Sequence, residues 1–144
     1  MDLDEDSSVA LLAIHPRYAR AIFDGRKTVE FRKTLFRRSV DYVVVYVCHP
    51  VQRVLGFFRV GSVETGAPSA LWQKYAAEGA IGADAFWAYY SGTDEAVAIV
   101  IERVVSLPRP VSLRTIHRTL SAPQSFTYLT RPALKRLKVA TNAA

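Results

Sequence analysis

The sequence is poor in the features that mark several classes of protein. It has one cysteine, Cys48, among 144 residues, which excludes a disulfide framework and a cysteine-rich zinc site. It has no run of 18 or more apolar residues, so no segment is predicted to span a membrane. Residues 1–6 lack the basic start and apolar stretch of a signal peptide. We therefore expect a soluble, cytoplasmic protein with a single domain.

Motifs for binding metals or nucleotide phosphates are also missing. The three histidines, His15, His49 and His117, are too scattered for a metal site, and each is expected to be structural or solvated. Gly56 and Gly61 are too isolated to form a phosphate-binding loop. The sequence therefore predicts no metal and no cofactor.

Acidic residues are scarce where basic residues concentrate. The formal net charge is +6, yet four of the 13 acidic residues lie in the first six positions. The remaining chain has 19 basic and 9 acidic residues, a net charge of +10. Residues 17–38 hold eight basic and two acidic residues, residues 103–144 hold eight basic and no acidic ones, and residues 39–102 have a net charge of −4. Such segregation favours a polyanionic partner, most simply nucleic acid, although a merely basic surface stays open.

Half of the residues are hydrophobic, and their pattern predicts four to six strands with short helices between them. Strands are expected over residues 9–14, 28–31, 42–48, 54–63, 96–104 and 123–129, and helices over 16–24, 69–77, 83–91 and 113–120. Residues 108–110 mark an extended loop or edge, and Gly56 and Gly61 are candidate bulges. Because strands do not alternate regularly with helices of about 10–15 residues, a doubly wound sheet is not expected.

The expected fold is therefore α+β, a small, mostly antiparallel β-barrel with short helices inserted between its strands. Residues 1–8 are predicted to form an acidic disordered tail. Residues 9–130 form the domain, and residues 131–144 form a basic C-terminal extension.

A short stretch in the first basic block carries the most chemical information. On a strand, Val29 and Phe31 point to the core, and Glu30 and Arg32 share the polar face. Lys27 can reach the same region. A carboxylate flanked by two cations can accept a hydrogen bond from a base amino group while the cations hold a phosphate. The alternative is an ordinary strand with a Glu–Arg ion pair that faces solvent.

Two motifs resemble those of the ASCH domain, a member of the PUA-like superfamily. The family's G-x-K-x-x-E-x-R pattern is matched by Gly25, Lys27, Glu30 and Arg32. A second pattern, P-Q-S-aromatic-x-Y-L, is matched by residues 123–129. Residues 70–90 resemble the helical insert of small bacterial and archaeal ASCH proteins, so the resemblance covers roughly residues 9–130 in the right order.

The resemblance implies a fold related to PUA, EVE and SRA-type domains, which bind RNA or DNA and in several cases read a modified or flipped base. We accordingly predict a nucleic-acid-binding module, favoured as a monomer, with a base in a cleft and phosphates on the basic blocks. The predicted binding residues are Arg26, Lys27, Glu30, Arg32, Lys33, Gln124, Ser125, Phe126 and Tyr128. The candidates for stacking on the base are Tyr46, Trp87 and Tyr128, with core packing as the competing interpretation. The choice between DNA and RNA stays open.

Some ASCH-like proteins are enzymes, which gives an alternative: a hydrolase of RNA or nucleosides with Lys27 and Glu30 as the acid/base pair. Arg26 and Arg32 would lower the pKa of Lys27, and Glu30 would raise it. The resemblance includes a branch that acts on N4-acetylcytidine and has a threonine three residues after its lysine. Glu30 stands at that position, which argues against this amidohydrolase activity but leaves ribonuclease activity open. A third interpretation is a protein-interaction module in transcription regulation.

Overall fold

The computed structural model describes residues 3–142 of the chain. The elements in chain order are β1 (Val9–Ile14), α1 (Pro16–Phe23), β2 (Val29–Arg32), β3 (Tyr42–Val47), β4 (Arg53–Gly66), α2 (Pro68–Gly79), α3 (Ala83–Tyr89), β5 (Ala96–Val111), α4 (Leu113–Ile116), β6 (Thr127–Tyr128) and α5 (Arg131–Asn142). No helix within residues 3–142 is long and apolar enough to cross a membrane.

The six strands form one sheet in the order β2-β5-β4-β3-β1-β6. The pair β1 and β3 is parallel, and the other four pairs are antiparallel. The sheet curves into a half-barrel with β2 at one edge and β6 at the other. The predicted α+β class, with a mostly antiparallel sheet and helices inserted between the strands, is confirmed.

The long strands β4 and β5 bend where their pairing register shifts, and both predicted bulge glycines lie at such shifts. A Cβ atom on Gly56 would meet the Val105 carbonyl oxygen and the Phe23 ring, so only glycine permits this close approach of two strands. The shift at Gly56 also leaves residues 107–110 outside the ladder, between the pairs formed by Ser106 and Val111. Pro108 and Pro110 lie in this segment and have no N–H to donate to a ladder.

Alternation along the strands builds two cores on opposite faces of the sheet. The first cluster contains Leu11, Val44 and Phe57 and is covered by α4 and α5. The second contains their chain neighbours Leu12, Val45 and Phe58 and is covered by α1. A third cluster packs β2 and β5 under α2 and α3 around Phe86. Val29 and Phe31 of the β2 edge are therefore covered by these two helices.

Both ends of the described chain contact the first cluster. Leu3 is buried there together with Leu134 and Leu137 of α5. Near them, Asp6 pairs with Arg131 at 2.7 Å and Glu5 pairs with Lys135 at 3.5 Å. The boundaries at residues 8 and 130 stay predictions.

Several element lengths differ from the sequence-based expectation. The strands β4 and β5 extend to Gly66 and Val111, because each is paired with the other over most of its length. The helix expected over 113–120 ends at Ile116. The strand expected over 123–129 is reduced to Thr127–Tyr128, because only these residues pair with β1 within 3–142.

Candidate active site in a cleft beside strand β2

A cleft of about 690 Å³ opens where β2 approaches the end of β1 and helix α3. Its lining includes six of the nine predicted binding residues: Lys27, Glu30, Arg32, Lys33, Gln124 and Ser125. Residues of the first motif and of the second motif, residues 123–129, therefore lie side by side in the structure. About ninety residues separate the two motifs in the chain. The second basic block, residues 103–144, contributes none of its arginines or lysines to this lining.

The path of the chain through residues 15–32 places the first motif. His15 caps helix α1, because its Nδ1 accepts a hydrogen bond from the Arg17 backbone N–H at 3.1 Å. The helix ends before Gly25, which has φ +85°, a conformation that favours glycine. The Lys27 backbone N–H donates to the Ala21 carbonyl at 3.0 Å. After this turn the chain enters β2, and the Lys27 side chain points into the interior of the protein.

The centre of the cleft floor is a buried charge triad. The Lys27 Nζ atom lies 3.4 Å from Glu30 Oε1, and Arg32 Nη1 lies 3.1 Å from Glu30 Oε2. Lys27 and Glu30 are only 2% and 5% exposed. The interpretation of a solvent-facing ion pair is therefore wrong, because the Tyr18 ring, the Gly79 carbonyl and Arg32 surround these two side chains. The triad keeps one net positive charge at the cleft floor.

Hydrogen bonds orient both cations of the triad. The Lys27 ammonium donates to the Gly79 carbonyl at the end of α2 and lies 5.1 Å from the centre of the Tyr18 ring. Arg32 Nη2 donates to the Ser125 carbonyl at 3.2 Å. The two accepting carbonyls come from distant parts of the chain. Their hydrogen bonds fix the positions of the two cations, and so they define the geometry of the triad.

Burial lowers the pKa of the Lys27 ammonium, the adjacent Glu30 carboxylate opposes that shift, and Arg32 adds to it. The predicted contribution of Arg26 is wrong, because Arg26 is exposed and pairs with Asp24 at 2.9 Å. A lysine with a lowered pKa releases its proton more readily than an ordinary lysine. The site therefore holds a carboxylate and a weakened ammonium acid in direct contact.

Aromatic side chains form part of the cleft wall. Tyr89 lines the cleft, with Lys33 Nζ 4.7 Å from the centre of its ring, and burial raises the pKa of its hydroxyl. Tyr18 and His15 also line it, with their ring centres 5.8 Å apart. Because His15 Nδ1 is an acceptor, the neutral imidazole carries its proton on Nε2 and can donate from there.

The sequence pointed to other aromatic residues for stacking, and the structure does not place them in the cleft. Tyr46 is buried in the first core cluster. Trp87 is 44% exposed and packs against Phe86, 5.1 Å between ring centres, and it does not line the cleft. Tyr128 and Phe126 lie beyond Ser125 and pack on the second cluster. The residues that the sequence analysis missed are Tyr18 and Tyr89, and His15, expected to be structural or solvated, also lines the cleft.

Within residues 3–142, no group of three or more His, Cys, Asp or Glu side chains is arranged to hold a metal ion. The cleft lining contains one carboxylate, Glu30, and one imidazole, His15. The polar groups at the site are therefore suited to proton transfer and to holding an anion.

Comparison with known proteins gives the following relatives. The chain is 35% identical over 127 residues to the large ribosomal subunit protein uL22 of Ureaplasma parvum, covering 88% of this chain and 40% of that protein. It thus spans less than half the length of that relative. It is 29% identical over 136 residues to an ASCH domain-containing ribonuclease of Zymomonas mobilis, covering 92% of this chain and 91% of that one.

Solved structures give a consistent result. The crystal structure of ASCH from Zymomonas mobilis superposes with a TM-score of 0.87 at 28% identity, covering 96% of this chain and 98% of that one. The YTH domain of a Zygosaccharomyces rouxii protein, solved in complex with N6-methyladenosine RNA, matches with a TM-score of 0.53 at 11% identity over 100% of this chain and 93% of that one, which shows a shared fold. The ASCH domain model itself matches residues 12–109. The chain belongs to the ASCH domain family.

Proposed function

We propose that this protein is a ribonuclease that cleaves single-stranded RNA in the cleft of the Lys27–Glu30–Arg32 triad. The observation that carries the proposal is the likeness to the Zymomonas mobilis ASCH ribonuclease over nearly the full length of both chains. The triad supports it, because it places a carboxylate, a lysine of lowered pKa and a third charged group, the Arg32 guanidinium, at one cleft floor.

The chemistry that fits these groups is attack by the RNA 2′-hydroxyl on the neighbouring phosphorus. Glu30 takes the 2′-hydroxyl proton as the bond from the 2′-oxygen to phosphorus forms. Lys27 gives a proton to the 5′-oxygen as its bond to phosphorus breaks, and Glu30 then returns a proton to Lys27 across their 3.4 Å contact. The products are a 2′,3′-cyclic phosphate and a free 5′-hydroxyl.

The remaining cations hold the phosphate and stabilise the charge that develops on its oxygens. Arg32 is suited to this because a planar guanidinium presents several N–H donors that match phosphate oxygens. Its side chain is 16% exposed, so an N–H edge is accessible from the cleft. Lys33, which is exposed at the cleft mouth, provides a second positive charge.

The burial of the triad determines whether single-stranded or double-stranded RNA can reach it. Since Lys27 and Glu30 expose only 2% and 5% of their surface, a nucleotide must enter the cleft to reach them. A base-paired nucleotide is held in its stack, whereas an unpaired one can insert beside Tyr18 and Tyr89 at little cost. We therefore expect single-stranded RNA to be cleaved and the duplex of the same sequence to be resistant.

The test uses one end-labelled oligonucleotide sequence in three forms: single-stranded RNA, the RNA duplex and single-stranded DNA. We predict cleavage of the single-stranded RNA alone, since DNA lacks the attacking 2′-hydroxyl. Lys27→Met should reduce the rate by about 100-fold or more, while Lys74→Met, on the surface of α2 with a 58% exposed side chain, should match the wild type. Cleavage of DNA at a similar rate would contradict the mechanism.

A second candidate function is recognition of a base without cleavage, as the sequence alone favoured. The observation for it is the aromatic and amide lining of the cleft, where Tyr18 and Tyr89 can stack and Gln124 can pair with a base edge. Tight binding of the single-stranded RNA, with the label intact after prolonged incubation, would support this function over the ribonuclease.

A further inference from the structure

Outside the cleft, two arginines lie on two aromatic rings. The Arg38 guanidinium carbon is 3.7 Å from the centre of the Tyr128 ring. The Arg37 guanidinium carbon is 5.6 Å from the Phe126 ring centre and 5.8 Å from that of Tyr128. We call these four residues the arginine–aromatic platform.

The platform is preorganised by its own contacts. The Arg37 backbone N–H donates to the Tyr128 hydroxyl at 2.8 Å. The Phe126 ring packs edge-on against Phe36 at 5.1 Å and against Tyr128 at 5.2 Å. Both arginine side chains are exposed, yet neither forms an ion pair with a carboxylate among residues 3–142. Two oriented positive charges therefore face solvent without an ion-pair partner in the described part of the chain.

The platform is continuous with the cleft through two chain segments. Lys33 and Thr34 line the cleft and lead within a few residues to Arg37 and Arg38. On the other side, Ser125 lines the cleft and accepts from Arg32, and Phe126 follows it directly. A strand of nucleic acid that leaves the cleft between these two segments meets the platform next.

We propose that the platform is a second RNA subsite, which binds a nucleotide that flanks the one in the cleft. This proposal rests on the proposed function. Guanidinium groups stacked on rings keep their N–H edges free for phosphate oxygens, and the outer guanidinium face can stack on a base. Single-stranded RNA, the substrate of the proposed function, presents a phosphate and a base at each nucleotide.

Two carboxylates share a cavity with Arg38 but form no ion pair with it among the described residues. Asp4 and Asp41 line a cavity of about 520 Å³ together with Arg38. Asp41 accepts from the Ser8 backbone N–H at 2.8 Å, and Asp4 accepts from the Asp6 backbone N–H at 2.8 Å. Both therefore hold the N-terminal segment in place, and the RNA phosphate is expected on the cleft side of Arg38.

The test measures the affinity of single-stranded RNA of two and of ten nucleotides for the wild type and for the double variant Arg37→Gln/Arg38→Gln. The matched control is Arg114→Gln, an exposed arginine of α4 on the first core cluster, at the opposite face of the sheet. Melting temperatures of all three proteins check that the variants are folded.

We expect the double variant to reduce the affinity ratio of the longer to the shorter RNA by about tenfold. The slope of log affinity against log salt for the longer RNA should fall by about 0.7 for each phosphate that the variant no longer binds. The control should retain the wild-type ratio and slope. An unchanged ratio and slope in the folded double variant would overturn the subsite, even if the wild type cleaves RNA.

Failure of the proposed function has a different signature. If the wild type binds the ten-nucleotide RNA without cleaving it and the double variant weakens that binding, the subsite stands and the ribonuclease does not. If neither RNA binds to the wild type, both proposals fall.

Discussion

Lys27 carries an ammonium group in a place that water hardly reaches. Its side chain is enclosed by Tyr18, Phe31, Glu30 and the Gly79 carbonyl. Burial of an unpaired ammonium group would lower the stability of the fold, and the ion pair with the Glu30 carboxylate offsets this cost. The same enclosure lowers the pKa of Lys27, so one environment accounts for both the cost to stability and the proposed chemistry.

The lowered pKa of Lys27 gives a prediction about stability and pH. Between the pKa in the folded protein and its ordinary value of 10.5, the unfolded chain binds more protons at this site than the folded one. The free energy of unfolding should therefore rise with pH in the range just below 10.5. Burial raises the pKa of Tyr89 and Tyr90, so their effect has the opposite sign and begins near pH 10.

Urea denaturation of the wild type and of Lys27→Met between pH 7 and pH 10 measures this effect. The variant should lose the rise with pH. It should also be less stable at pH 7 by about 3 kcal/mol, the order expected when one partner of a buried ion pair is removed. An identical pH dependence in both proteins would show that Lys27 is not the group that titrates.

The elements position the triad through a few close contacts, and the end of helix α2 is the tightest of them. A Cβ atom on Gly79 would overlap the Phe31 ring, and the Gly79 carbonyl accepts from Lys27. Helix α2 can therefore approach β2 only because this residue has no side chain.

Gly79→Ala should displace the Phe31 ring and loosen the Lys27 contact. We expect a loss of about 1–3 kcal/mol in the free energy of unfolding, as for other overpacked sites, together with weaker RNA cleavage. Gly82→Ala is the matched control, because a Cβ atom there meets nothing within 4 Å. Equal effects of the two substitutions on thermal unfolding would contradict this packing argument.

How far the sequence predicts the site depends on which element supplies each residue. Alternation along one strand was enough to place Glu30 and Arg32 on a shared face. The resemblance added Gln124 and Ser125, which spacing alone could not bring near β2. Tyr89 could not be predicted, because only the packing of α3 against β2 turns it toward the cleft.

Across the whole molecule, opposite charges at the two chain ends meet away from the cleft. Asp6 and Glu5 pair with Arg131 and Lys135 of α5, and no basic side chain of residues 103–144 lines the cleft. The first basic block supplies Lys27, Arg32 and Lys33 to the cleft lining, and the expectation that the basic blocks bind phosphates stays a prediction. Charge counts locate basic residues along the chain, whereas the face they reach depends on long-range packing.

Helix α5 should contribute to stability as part of the first core. Leu137 is fully buried there, so Leu137→Ala is expected to cost about 2–5 kcal/mol. Val139, on the same helix, is 71% exposed, and Val139→Ala should change the free energy of unfolding by less than about 0.5 kcal/mol. Denaturant titration of both variants measures the difference. A small cost for Leu137→Ala would instead favour residues 131–144 as a separate extension.

The central proposal for this molecule is RNA cleavage with the buried Glu30 carboxylate as the base. The most direct measurement is the single-turnover rate of cleavage of single-stranded RNA by the wild type, by Glu30→Gln and by Glu102→Gln, a carboxylate that is 58% exposed on β5. We predict that Glu30→Gln lowers the rate by about 100- to 10,000-fold while Glu102→Gln retains the wild-type rate. A folded Glu30→Gln variant that cleaves RNA as fast as the wild type would contradict the proposed mechanism.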